Sequence, residues 1–336
     1  IGVTGGAAAN ALAAEADLII AVGTRLGDFA SGSRAMINPH AKLLSINVAS
    51  FDAVKHKGQS LVGDAKLTLS ALVDGLDGWK PADSWVEQAA ELRADWNDTV
   101  DRVTADRGTK LPCDAEVVGA VNRAAGEQDI VVCAAGGLPG ELQKLWRTRF
   151  DRGYHMEYGY SCMGYELAGG LGVKMAKPDS DVFVMVGDGS YLMLNSEIAT
   201  SVMLGHKIIA VVLDNRGYGC IHRLQQFCGG PGFNNMLEDC LTVEAGAPKT
   251  DFAAHAAALG ARSEQVENIQ ALEAALERAK ASDTSYVIAI DTDALADTQD
   301  GGSWWDVAVP EVSDRAEVRT ARERYETYKA RQFQNL

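Results

Sequence analysis

Asp188 and Asn215 each stand just past an apolar run of the length and composition of a buried strand. A single carboxylate, a neutral side-chain carbonyl and loop backbone form an all-oxygen ligand set of low charge. Mg²⁺ takes such a set when a substrate or cofactor supplies the remaining oxygens, typically from phosphates. Gly187 and Gly189 flank Asp188 and let backbone N–H groups approach an anion, and a helix that follows directs its positive end there. The pattern reads as a metal clamp on a diphosphate. Gly-Asp-Gly is also a common turn tripeptide, and alone it would serve equally as an exposed turn with an incidental Asp. The Asn at the next strand end favours the clamp.

The elements that must position these groups follow from the pattern. Val182 to Val186 is a β-branched apolar run, a helical pattern extends from about Asn195 to Leu204, and a second run, Ile208 to Leu213, ends on Asp214-Asn215-Arg216-Gly217. This is one βαβ unit with both candidate ligands at the carboxyl ends of parallel strands, the edge where open α/β sheets bind ligands. Upstream, Ile130 to Ala134 runs into Ala135-Gly136-Gly137-Leu138-Pro139-Gly140. Those glycines make either a second anion-accommodating loop on the same edge or a tight turn.

Between the two lies Tyr154-His155-Met156-Glu157-Tyr158-Gly159-Tyr160-Ser161-Cys162-Met163-Gly164-Tyr165. Without further context Met163 is a core methionine and His155 a structural hydrogen-bond partner. His206 and His222 are expected at the surface or in loops. Cys220 to Pro248 lacks periodicity and reads as a binding loop or lid.

The fold class expected is α/β, with doubly wound parallel sheets in a partial central domain and a second, ligand-binding domain. The boundaries are 1–76 for the partial Rossmann-like domain, 77–112 for a linker helix, 113–300 for the ligand-binding domain and 301–336 for a C-terminal helical extension. The first domain shows two strands, Asp17 to Gly23 and Leu43 to Val48, too few for a stable sheet covered on both faces. The chain begins at Ile1 inside a Gly-rich loop, and the expectation is that the first part of this domain is missing. A dinucleotide site at Gly23 with Asn47 is set aside for want of a G-x-G-x-x-G. In the linker, Trp85, Ala89, Leu92, Trp96, Val100 and Val103 form one apolar stripe. A helix from Asp114 to Ala125, with Asp114 as its cap, opens the second domain.

A net charge of −15 over 336 residues argues against nucleic acid or an anionic membrane as partner, since both require basic surface. No apolar run reaches a membrane span and no signal-peptide pattern is visible. The six cysteines (113, 133, 162, 220, 228 and 240) include no CxxC pair, which predicts reduced thiols, a cytoplasmic location and no zinc site.

The GDGS and DNRGYG segments resemble the signature of the thiamine-diphosphate enzymes of the acetolactate synthase and pyruvate decarboxylase superfamily. The resemblance implies that Asp188 and Asn215 bind Mg²⁺ through their side chains and Gly217 through its carbonyl. It implies that Gly137, Gly187, Gly189, Ser190 and the backbone near Cys220 hold the diphosphate of thiamine diphosphate. Backbone at Ser161, Cys162 and Met163 would meet the pyrimidine, with the Met163 side chain wedged between the cofactor's rings, a task suited to a pliable residue. His155 becomes a candidate substrate contact.

The segments HMEYGYSCMGYE, GGPGFNN and SWWDVAVPEVS resemble most closely the subfamily that hydrolyses a C–C bond of a cyclic polyol dione in inositol catabolism. An acetolactate synthase-like carboligase or 2-oxoacid decarboxylase, or a cofactor-binding subunit without catalysis, are the alternatives. By the same resemblance, the glutamate that activates the cofactor lies on an N-terminal domain, supplied by the partner subunit of a homodimer or homotetramer whose active site lies between subunits. The chain alone is then expected to bind the cofactor without efficient turnover.

Overall fold

The computed structural model describes residues 1–239 and 249–332. It divides into two compact units, one formed by Ile1–Val100 with Gln299–Leu336 and the other by Asp101–Thr298. No helix among the described residues is long and apolar enough to cross a membrane.

The first unit holds three parallel strands in the order of the chain, β1 (Leu18–Val22), β2 (Lys42–Asn47) and β3 (Gln59–Val62). The third was not expected. Gln-Ser-Leu-Val is short and half polar, so no apolar run marks it, and it is a strand because β2 offers it a ladder from Leu44 to Asn47. Along the helix Asp83–Val103 the expected stripe is half-buried, with Val100 its one fully buried member. Trp96 packs on Gly6, where a Cβ would come within 2.9 Å of the indole. The C-terminal segment belongs to this unit: Trp304 stacks on Tyr328 at 5.7 Å and Trp305 meets Phe29 edge-on at 5.1 Å. Its helix is Ala316–Lys329, a part of the helical extension expected over 301–336. Residues 333–336 lie outside the described residues.

The second unit is built on six parallel strands: β4 (Ile130–Cys133), β5 (Tyr154–Met156), β6 (Val182–Gly187), β7 (Ile209–Asp214), β8 (Arg262–Val266) and β9 (Tyr286–Asp291). Their spatial order is β5-β4-β6-β7-β9-β8. Val182 to Val186 and Ile209 to Val212 are fully buried, as strands covered by helices on both faces must be. Phe183 lies opposite Ile209 and Gly187 opposite Leu213, so β6 and β7 end together and their loops open on one edge. From β4 the chain steps outward to β5 and then crosses to β6 on the other side. The crevice at such a reversal of winding is where doubly wound sheets bind ligands.

Three sequence expectations change here. The helix beginning at Asp114 is capped by Cys113, whose N–H donates to Glu116 Oε2 at 2.8 Å, and Asp114 is instead a buried first-turn residue. Gly-Asp-Gly-Ser does not form a loop, since a short helix, Asp188–Met193, starts directly at Asp188. Part of the expected Cys220 to Pro248 loop is the helix Gly219–Phe227, hidden in sequence because its apolar residues Ile221 and Phe227 are exposed. Residues 240–248 lie outside the described residues, Cys240 among them.

Candidate functional site

The carboxyl ends of β4, β6 and β7 bring the motif residues together. Asp188 is 7% exposed and fixed by two backbone donors: Gly189 N–H donates to Oδ1 at 2.8 Å and Gly217 N–H to Oδ2 at 2.9 Å. The Gly217 bond ties the end of β6 to the turn after β7. Gly217 has φ +153° and pairs with Met236 in an antiparallel bridge, and a Cβ there would fall 2.3 Å from the carbonyl oxygen of Asn235. Only glycine fits that turn without strain.

Beside Asp188 is a second buried carboxylate, Asp214, with 3% exposure; the Arg216 N–H donates to its Oδ1 at 2.9 Å. Burial holds the Asp188 carboxyl above the ordinary range, and the neighbouring Asp214 adds to this against the two backbone donors. Two apposed carboxyls of this kind disfavour a second negative charge until a cation joins them. Asn215, just past the end of β7, has a buried Oδ1 with no hydrogen-bond partner among the described residues. An orphaned buried acceptor is costly unless a ligand satisfies it. The donor set is all oxygen and fits Mg²⁺ better than a thiolate- or imidazole-seeking metal. A cavity of about 190 Å³ opens here, with Asp188, Asp214, Gly217 and Tyr218 in its wall.

The other predicted residues are placed as follows. A Cβ on Gly189 would lie 2.8 Å from the Tyr218 ring and 3.3 Å from Met163 Cε. Met163 therefore does reach the Gly-Asp-Gly turn. Gly137 caps the helix Leu138–Leu145 and lies against the Gly219–Phe227 helix, where a Cβ on it would fall 3.7 Å from the Cβ of Cys220. Ser190 is buried. Ser161 and Cys162 lie in an exposed loop, Ser161 at φ +53°. The Cys162 N–H donates to Glu157 Oε2 at 2.9 Å, so that donor is already engaged. His155, on the edge strand β5, hydrogen-bonds through Nε2 to the Tyr165 hydroxyl at 2.7 Å and stacks on its ring. His222, expected at the surface or in a loop, is buried beneath Gly232, its Nδ1 without a partner among the described residues, because the unforeseen helix turns it inward.

Glu166 escaped sequence reasoning. It is 1% exposed; Oε1 accepts from Ala135 N–H at 3.2 Å and Oε2 from Gly164 N–H at 2.9 Å, and Ser190 is a further side-chain partner. One carboxylate thus joins the loop after β4, the turn after Met163 and the helix after β6. Burial raises its pKa, and these hydrogen bonds oppose the shift. Its signal was a lone Glu leading the small-residue helix Tyr165–Ala176. Asp214, the other missed residue, stood in plain sight beside Asn215.

Comparison with known proteins bears on this arrangement. The family model of the thiamine pyrophosphate enzyme C-terminal TPP binding domain matches residues 134–290, and that of the central domain matches residues 1–72. Among curated relatives, a protein of Halalkalibacterium halodurans named 3D-(3,5/4)-trihydroxycyclohexane-1,2-dione hydrolase is 38% identical over 96% of this chain and 54% of its own length. Proteins of the same name from Bacillus cereus (strain AH820) and Bacillus anthracis are 39% identical over 96% of this chain and 55% of theirs. The chain spans about half the length of these relatives.

Proposed function

Because the chain belongs to the thiamine pyrophosphate enzymes, we propose that it is the cofactor-binding portion of a hydrolase that opens 3D-(3,5/4)-trihydroxycyclohexane-1,2-dione. Water is added and the C–C bond between the two carbonyls is broken, giving 5-deoxyglucuronate. The relatives' name at 38–39% identity supports the substrate. The observation that supports the site is the buried Asp188 carboxylate at the end of β6, with Asn215, just past the end of β7, carrying a buried Oδ1 that has no partner among the described residues.

In this reading Asp188, Asn215 and the Gly217 carbonyl hold Mg²⁺. Gly137, Gly187, Gly189, Ser190 and the backbone at Cys220 receive the diphosphate. Backbone at Ser161 and Met163 orients the pyrimidine, and the Met163 side chain packs against the cofactor's rings. Cys162 joins them only if its N–H leaves Glu157. Bound thiamine diphosphate supplies the electron sink for breaking the C–C bond. Glu166 holds three of the contributing backbone segments in one geometry, and His155, oriented by Tyr165, faces the substrate. The active form is a homo-oligomer with the site between subunits.

Incubating the full-length protein with the cyclic dione tests this. Ring opening that requires both thiamine diphosphate and Mg²⁺ is expected. Acetolactate formation from pyruvate without dione turnover would mean a carboligase, and cofactor binding with no turnover of either would mean a non-catalytic subunit.

A further inference from the structure

Arg223 lies one turn beyond Cys220 on the helix Gly219–Phe227, and neither the motifs nor the resemblance accounts for it. Its half-buried guanidinium donates from Nη1 to the carbonyl of Ala294 at 2.6 Å, the hydrogen bond it makes among the described residues. Asp114 and Asp297 stand in the same region, yet Arg223 forms no ion pair with a carboxylate among the described residues. Among the described residues, most of its five-donor fork is left without an acceptor.

The free side of that fork is where it matters. A Cβ placed on Gly137 would come 2.4 Å from Nη2, so the guanidinium lies directly on the backbone of the loop after β4. Glycine at 137 is what admits it; any side chain would displace it. Loop and helix terminus meet here, since the same Cβ position is 3.7 Å from Cys220. Mg²⁺ bound through the Asp188 carboxylate leaves much of a diphosphate's charge unbalanced, and helix N-termini add only partial charges. A planar guanidinium with open N–H groups is the side chain best matched to phosphate oxygens.

Resting on the cofactor reading above, we infer that Arg223 is a further phosphate-binding residue of this site, taking a diphosphate oxygen across Gly137. If Arg223 only braced the loop against Ala294, its removal would weaken every ligand alike.

Calorimetric titration of the chain, in Mg²⁺, with thiamine diphosphate, inorganic pyrophosphate and unphosphorylated thiamine distinguishes the two. Arg223→Gln keeps a donor for Ala294 and removes the charge. It is expected to weaken both diphosphate-bearing probes roughly ten- to a hundredfold, the range for a lost hydrogen bond to a charged group, and to leave thiamine binding unchanged. Unchanged diphosphate affinity, or an equal loss for thiamine, would overturn the inference. Should the Gln variant fail to fold, Arg223→Lys replaces it, with a smaller loss confined to the diphosphates expected and no such loss counting against the inference. Failure of the unsubstituted chain to bind thiamine diphosphate would instead bring down the cofactor reading itself.

Discussion

Asp188 and Asn215 fail in different ways when they are removed. Asp188→Ala deletes the acceptor for Gly189 N–H and Gly217 N–H, so the turn after β7 loosens together with the metal site. Asn215 Oδ1 has no partner to lose among the described residues, so Asn215→Leu should leave the metal-free fold as stable as before or slightly more so. Both are expected to weaken Mg²⁺-dependent binding of thiamine diphosphate by at least about tenfold. Isothermal titration reads the affinity and thermal unfolding reads the fold. Full binding by either variant would remove these residues from the site.

Asp114 carries a pH signature. Burial pushes its carboxyl up to about 7, with Arg223 pulling it down and Glu141 pushing it further up. The native state therefore keeps this proton to a higher pH than the unfolded chain. Stability from this group is lost as pH rises from about 4 to about 7, by on the order of 4 kcal/mol at most. Asp114→Asn should remove that dependence. Urea unfolding of both proteins near pH 5 and near pH 8 checks it: the Asn variant gains on the wild type at the higher pH, and an unchanged difference would refute the sign.

Elements are held at their ends. The helix Asp114–Ala124 starts where it does because buried Glu116 accepts from Cys113 N–H, Arg107 N–H and Arg107 Nη2. Burial alone would raise the Glu116 pKa, but these donors outweigh it and hold the carboxyl below its ordinary value. Its contribution is present above the unfolded pKa and lost as pH falls through the folded one. Glu116→Ala is expected to cost about 2–3 kcal/mol, the penalty for orphaning donors to a buried charge, measured by denaturant unfolding near neutral pH. At the turn after β7, Gly217→Ala meets both a φ of +153° and the Asn235 carbonyl. It should lower the melting temperature and the affinity for Mg²⁺ together, whereas Gly187→Ala, with open space at its Cβ and an ordinary extended φ, should leave the melting temperature unmoved. The strand ends were legible because β6 and β7 are unbroken apolar runs. β3, β5 and β8 were not, since Gln59, His155 and Arg262 put polar residues into short strands whose pairing comes from a neighbour.

For the whole molecule, the first unit leaves Leu18, Ile20, Phe51, Val62, Leu67, Val73 and Trp79 more than 45% exposed. Large apolar side chains in such number on a chain of net charge −15 are what the proposed homo-oligomer would cover. Self-association is the expected outcome, and it should strengthen with salt as like-charge repulsion is screened. Analytical ultracentrifugation over a range of concentration and ionic strength measures it; a monomer throughout would exclude a homo-oligomer built through this unit.

The sequence by itself determined the parallel α/β class and raised the proposed metal clamp. Asp188 and Asn215 are picked out by type and order, Gly217 by the family resemblance, and Val182 to Val186 and Ile208 to Leu213 can be little but buried parallel strands. Those are local properties, written in consecutive residues. Glu166 joining three segments, Asp214 beside Asp188, and Arg223 lying on Gly137 were decided only by the tertiary structure. Each depends on contacts between residues far apart in the chain, created when neighbouring strands end at the same edge, and no periodicity or spacing records where a side chain from one element meets the backbone of another.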